Sequence, residues 1–140
     1  MGQVSRDEWT VVFSLGDCQY GIDMGRVQEI ISVPQVRRLP WQVPGVLGTV
    51  RVGAKVIPLI DLRHRLERES SQPDEQSRVM VVRVGAADAG LLVDRVEDVM
   101  RLPQGAVSAR GDHGDTEYVQ GVASVEDHDV VLLDLDRVLS

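Results

Sequence analysis

The sequence predicts an all-β fold built as a pair of small barrels, and three observations support this. Residues 11–31 and 80–100 share a pattern at a shift of 69 positions, and residues 48–66 and 121–139 share a second pattern at a shift of 73. Two blocks that recur in the same order indicate a duplicated unit. Short apolar runs between turn residues predict eight or more strands. No segment could form a crossover helix, which argues against a parallel sheet.

The first copy, about residues 9–66, opens with two predicted strands. Residues 9–15 are rich in β-branched and aromatic side chains, residues 16–17 (Gly-Asp) predict a turn, and residues 20–23 restart a strand. Asp23 could cap a short helical turn, because the apolar residues that follow have i, i+3, i+4 spacing. This predicted apolar face consists of Val27, Ile30 and Ile31.

The rest of the first copy is predicted to form a hairpin. Three prolines between positions 34 and 44 break the chain into extended pieces. Residues 46–52 and 55–61 then read as two strands joined at Gly53-Ala54, and residues 62–66 read as a helical turn.

A polar linker at residues 67–77 precedes the second copy, about residues 78–139, and all 140 residues are expected to act as a single domain. Residues 104–117 are rich in Gly, Asp and Ser and are expected to be mobile. The predicted elements of the second copy are strands at 78–84, 89–93, 118–125 and 129–135, and an apolar turn at 96–100.

Composition indicates the cellular compartment and the class of partner. A single cysteine, Cys18, excludes a disulfide framework and suggests a reducing cytosol, and neither a signal-peptide pattern nor a membrane span is present. The net charge of −7 disfavours nucleic acid as a partner. Residues 37–66 nevertheless carry a net +5. This stretch is either a solvated face or a docking surface for an acidic partner.

No catalytic, cofactor or metal site is expected. The three histidines are far apart in sequence, and nucleophile-elbow and phosphate-loop motifs are absent. Acid-rich segments at 112–115 and 127–129 are interpreted as solvated turns. Asp61 and Asp134 stand at matching positions of the two copies, where turn capping is the favoured role.

Four segments together resemble the CheW family of chemotaxis coupling proteins. They are YGID with RVQEI at 20–30, VIPLIDLR at 56–63, GLLVD at 90–94 and YVQGV at 118–122. The resemblance implies two intertwined five-stranded SH3-like barrels that exchange strands. It also implies a non-enzymatic cytoplasmic adaptor in receptor arrays. Such adaptors join the cytoplasmic tips of methyl-accepting chemoreceptors to the regulatory domain of a CheA-type histidine kinase.

The resemblance also suggests partner-binding residues. Val27 and Gly48 match kinase-contact positions of the family, and Val99 matches its receptor-binding groove. Ile30 and Val96 lie on the same predicted apolar edges and join the kinase and receptor sets, respectively. The simpler alternative is that these side chains fill the barrel cores.

One departure from the family concerns the receptor side. Members usually carry Asn-Leu-Arg-Gly where this chain has Arg51-Val52-Gly53-Ala54. If residues 51–53 are extended, Arg51 faces the same side as Gly53 and is expected to serve the same receptor surface. Otherwise the chain is a divergent paralogue specialised to a single partner, receptor or kinase. An alternative from a different functional class is that the protein has a groove that binds a small ligand or supports an enzyme activity.

Overall fold

The computed structural model describes residues 9–41, 43–69, 72–102, 107–108 and 118–139. The chain divides into two compact units. The terminal unit comprises Met1–Arg26 and Val96–Ser140, and the central unit comprises Val27–Arg95. Because the boundaries cut across both sequence copies, each unit is assembled from strands of each copy.

Eleven strands and two short helices are formed by the described residues. The strands are β1 (Trp9–Leu15), β2 (Cys18–Asp23), β3 (Val27–Ser32), β4 (Val46–Val52), β5 (Lys55–Asp61), β6 (Arg78–Val84), β7 (Ala87–Val93), β8 (Arg95–Arg101), β9 (Val107–Ser108), β10 (Val119–Val125) and β11 (His128–Leu133). The helices are α1 (Leu62–Arg65) and α2 (Leu135–Val138), and Met24–Arg26 form a single 3₁₀ turn.

Each unit contains one sheet, and the two sheets have the same strand order. In the central unit the order is β3-β6-β7-β5-β4, and in the terminal unit it is β8-β1-β2-β11-β10, with the two-residue β9 added at the edge. Leu59 pairs with Gly90 where β5 and β7 run parallel, and Leu132 pairs with Gly21 where β11 and β2 do. These pairs occupy equivalent positions of the repeat. The expected all-β fold, with intertwined copies and few helices, is confirmed.

The two cores are also built from equivalent residues. The terminal core contains Val12, Ala123 and Val130. Their counterparts in the other copy are Val81, Val50 and Ile57, and all three lie in the central core. The side chains that alternate inward along each strand are therefore the ones the repeat preserves.

The placement of Val27, Ile30 and Ile31 on a helical turn and the apolar turn at 96–100 are both wrong. Val27, Ile30 and Ile31 lie on β3, which pairs with β6, and residues 96–100 lie on β8. The helical turn after Asp23 covers only Met24–Arg26. At its start the Asp23 carboxylate accepts the Gly25 N–H at 2.9 Å. The short i, i+3, i+4 spacing fits both a helical turn and a strand. Pairing with β6 satisfies the backbone groups along one side of β3, and its β-branched residues favour extended backbone, so the strand forms.

Several boundaries also differ from the predictions. β2 begins at Cys18, which therefore lies on a strand, and β11 ends at Leu133 because Asp134 caps α2. In the linker, Ser77 is buried rather than exposed. The expected loop 104–117 lies outside the described residues except for β9. None of the described helices is long and apolar enough to cross a membrane.

Candidate docking surfaces

The first candidate surface is the edge strand β3. It stands at the end of the central sheet, and most of its side chains are exposed. Ile30 is 38% exposed, whereas Val27 is half-buried at the start of the strand. An exposed isoleucine on an edge strand is apolar surface that the central core does not use, so Ile30 suits a docking role better than a packing role.

Strand β8 is the counterpart of β3 in the terminal unit. It stands at one end of its sheet, with Val96 half-buried and Val99 36% exposed. Val96 and Val99 are the repeat equivalents of Val27 and Ile30. Two of the residues predicted for the kinase therefore match two of those predicted for the receptor, at equivalent positions on two edge strands.

The two edges differ in their polar partners. Glu97 of β8 accepts a hydrogen bond from the Ser14 hydroxyl at 2.9 Å. On β3 the equivalent residue is Gln28, which instead donates to the Asp88 carboxylate at 3.1 Å. The two copies therefore share an edge strand at this position but differ in its polar residue and in the hydrogen-bond partner of that residue.

Gly48 supports a surface rather than forming one. It is buried in β4 with φ +153°, and a β-carbon added there would lie 2.4 Å from the backbone oxygen of Arg37. Arg37 and Thr49 exchange two backbone hydrogen bonds of 2.8 Å beside it. Glycine is required for this close approach, so Gly48 holds the segment around Arg37 against the edge of β4.

A basic and apolar face surrounds this segment. A groove of about 470 Å³ is lined by residues 34–37, residues 49–51 and Val56. Arg51 is exposed on it, and Val56 is 61% exposed. Isolated exposed apolar residues are common on proteins, but an exposed valine among arginines suits an amphipathic, acidic partner.

The expected alignment of Arg51 with Gly53 is wrong. β4 ends at Val52, and Gly53 lies in the turn with φ +61°. Strand alternation therefore does not carry from Arg51 to Gly53. The turn of the second copy is different again, since Glu126 and Asp127 both have positive φ, as in a type I′ turn.

A half-buried acid that sequence reasoning missed connects three segments of the central unit. The side chain of Asp88 is 6% exposed and accepts hydrogen bonds from Lys55 at 2.8 Å, Gln28 at 3.1 Å and Arg83 at 3.3 Å. The hydrogen bond from Lys55, above all, lowers the pKa of Asp88. Lys55 is thereby engaged within the central unit. Only the fold brings these four residues together, so no local motif could have revealed the cluster.

The capping prediction is confirmed. The Asp61 carboxylate accepts the Arg63 N–H at 3.1 Å, and the Asp134 carboxylate accepts the Arg137 N–H at 3.3 Å. Among the described residues no group of acids, histidines or cysteines could hold a metal ion. Residues 112–115 lie outside the described ranges.

The duplicated sheets and their exposed edges define a β scaffold with surfaces suited to other proteins. Comparison with known proteins places the chain in a family: the model of the CheW-like domain matches residues 10–140, and the chain belongs to that family. The family consists of scaffold and adaptor proteins of chemotaxis signalling and not of enzymes.

Individual relatives agree with this assignment. The chain is 31% identical to the chemotaxis protein CheW of Klebsiella aerogenes, over 93% of this chain and 80% of the relative. It is 30% identical to CheW of Treponema pallidum, over 93% and 81%. It is also similar to the crystal structure of the scaffolding protein TtCheW from Thermoanaerobacter tengcongensis. That comparison has a TM-score of 0.86 and 26% identity, and covers 96% of this chain and 88% of the other.

Proposed function

We propose that this protein is an adaptor that couples chemoreceptor tips to a CheA-type histidine kinase. Family membership over residues 10–140 is the observation that carries the proposal, because it spans every strand and both helices of the duplicated fold. The adaptor works in the cytoplasm at receptor arrays, without inserting into the membrane, and it performs no chemistry.

The proposed kinase side is centred on β3. Ile30 supplies exposed apolar area, Val27 flanks it, and Gly48 keeps the Arg37 segment in place on the same sheet. Two separate sets of residues are proposed to contact the receptor. They are Val96 and Val99 of β8 in the terminal unit, and Arg51 and Gly53 at the β4–β5 hairpin in the central unit.

Matched substitutions at the two edges test these assignments. Ile30→Asp and Val99→Asp place a charge at equivalent, similarly exposed positions, so their effects on folding should be alike. Because a charge at a desolvated apolar contact removes most of that contact's energy, we expect Ile30→Asp to weaken kinase binding roughly tenfold or more. Val99→Asp should weaken receptor binding by a similar factor.

The control is Ser32→Asp, at the exposed end of β3, which changes the charge of the same strand. It should alter neither affinity by more than about twofold. Isothermal titration calorimetry with the isolated kinase regulatory domain and with a receptor-tip fragment measures each pair. If both variants weakened the same partner, the division of roles between β3 and β8 would be wrong.

The single-partner paralogue remains a distinct outcome of the same titrations. Its motivation was the altered segment at Arg51–Ala54, and binding of the wild-type chain to only one of the two partners would favour it. Measurable affinity for both the receptor tip and the kinase domain supports the coupling role.

A further inference from the structure

The terminal unit contains a groove that none of the proposed kinase or receptor residues lines. It has a volume of about 710 Å³ and lies at the start of β1, the ends of β2 and β11, and the start of α2. Its lining includes the apolar residues Ile22, Leu132 and Leu135. Trp9 stands on its rim, and we name it the Trp9 groove.

The rim of the Trp9 groove combines an aromatic ring with charged groups. Trp9 is 44% exposed, and Arg101, which does not line the groove, places its guanidinium 5.8 Å from the centre of the Trp9 ring. Arg26 donates two hydrogen bonds to Asp136, at 2.8 and 3.3 Å. The side chain of Asp136 is nevertheless 66% exposed, so one face of this carboxylate remains open to solvent.

The equivalent surface of the central unit is covered by the chain's own linker. Gln72 and Pro73 line a groove there together with Leu47, Leu59 and Asp61. These last three are the repeat equivalents of Gln120, Leu132 and Asp134 in the Trp9 groove. The same end of the duplicated fold therefore already accommodates a non-helical polypeptide segment in one of its two copies.

Three arginines hold the linker on the central unit. Arg63 donates to the backbone oxygen of Glu69 at 2.8 Å, and Arg78 donates to that of Glu75 at 2.9 Å. Arg95 hydrogen-bonds the side chain of Gln76. In the terminal unit the equivalents of Arg63, Arg78 and Arg95 are Asp136, Trp9 and Arg26.

The charge of this surface is inverted between the copies. With Asp61 and Leu92 included, the five central positions carry a net +2, and the sequence of the linker 67–77, whose described residues contact this surface, carries a net −3. At the five equivalent terminal positions, Asp134 and Asp23 replace Asp61 and Leu92, and the net charge is −2. Charge complementarity therefore predicts a basic occupant for the Trp9 groove.

We propose that the Trp9 groove binds a basic, non-helical segment of a partner protein. Lysine or arginine side chains of that segment face Asp23 and Asp136, whereas Asp134 is already paired with Arg137 at 3.6 Å. An apolar or proline residue packs against the Trp9 ring, by analogy with Pro73, which lines the groove of the central unit. The proposal is independent of the kinase and receptor assignments, because those residues lie elsewhere on the chain.

A pair of peptides tests the proposal. The basic probe has the sequence of residues 67–77 with Glu67, Glu69, Asp74 and Glu75 replaced by lysine, for a net charge of +5, and the natural acidic sequence is the matched control. The chain has two tryptophans, Trp9 and Trp41. In NMR titrations the basic peptide should shift the Trp9 indole resonance saturably and leave that of Trp41 unchanged. The acidic peptide should shift neither.

Two charge variants make the test specific. Asp136→Lys should weaken binding of the basic peptide roughly tenfold, because an attraction becomes a repulsion. Asp17→Lys makes the same change of charge in the β1–β2 turn and should weaken it less than about twofold. Should Asp136→Lys fail to fold, Asp136→Asn provides the measurement, with a smaller loss expected.

Three results would overturn the proposal. The first is no saturable shift at Trp9. The second is equal weakening by the two lysine variants, which would mean that only net charge matters. The third is occupation of the groove by another segment, detected either as a dimer that Asp136→Lys dissociates or as peptide binding that appears only when residues 1–8 are removed.

Discussion

Gly48→Ala should destabilise the protein far more than an ordinary glycine substitution on a strand. The new β-carbon would lie 2.4 Å from the backbone oxygen of Arg37, a distance that carbon and oxygen cannot adopt. Because the obstacle is backbone and not a flexible side chain, the segment around Arg37 must move away from β4. Its two 2.8 Å hydrogen bonds with Thr49 would then be lost.

The structure allows the magnitude to be estimated. Two backbone hydrogen bonds contribute about 0.5–1.5 kcal/mol each to the free energy of unfolding. Holding alanine at φ +153°, a value that suits glycine, adds about 1 kcal/mol. The expected loss for Gly48→Ala is therefore about 2–4 kcal/mol, if the segment is released without further rearrangement.

Urea unfolding of Gly48→Ala beside Gly53→Ala separates the two contributions. Gly53 also has a positive φ, +61°, but a β-carbon there would meet no atom within 4 Å. Gly53→Ala should therefore lose only about 1 kcal/mol. Equal losses for the two variants, or a wild-type midpoint for Gly48→Ala, would refute the close-approach argument.

Three further predictions concern other parts of the molecule. Asp88→Asn should lower Tm at pH 7, because the neutral amide interacts less strongly with Lys55. The pKa of Asp88 is lower in the folded than in the unfolded protein, so its stabilisation is present above the unfolded pKa of about 3.9 and is lost at lower pH. The difference in Tm between Asp88→Asn and wild type should therefore narrow below about pH 4. A difference that does not change with pH would contradict this. Asp61→Ala and Asp134→Ala should each cost about 0.5–2 kcal/mol in urea unfolding through loss of a helix cap, and a wild-type midpoint for both would rule out the caps. Gly53→Arg restores the residue usual in the family and should tighten receptor-tip binding in calorimetry, whereas unchanged affinity would remove this turn from the proposed receptor surface.

Much of the fold could be predicted because both copies of the repeat show apolar runs and turn residues in the same order. The hairpin at 46–52 and 55–61 matches β4 and β5, since each strand ends where turn residues begin. β3 and β8 were missed because their partners are distant in sequence. Short apolar runs at i, i+3 and i+4 cannot by themselves distinguish an edge strand from a helical turn.

The candidate surfaces depend more heavily on tertiary structure. Family resemblance pointed to Gly48, but its physical role depends on Arg37, which approaches it only in the folded sheet. The interactions of Asp88 likewise join three separate segments of the chain. The Trp9 groove also has no local motif, because its lining includes residues of four elements that are separate in sequence, β1, β2, β11 and α2.

Retention of the kinase by an immobilised receptor-tip fragment tests the central proposal most directly. The kinase regulatory domain is passed over the receptor fragment with and without this protein, at equal concentrations. The coupling role predicts that the kinase domain is retained only when the protein is present, and that Ile30→Asp and Val99→Asp each reduce that retention. Kinase retention unchanged by adding the protein would contradict the coupling role.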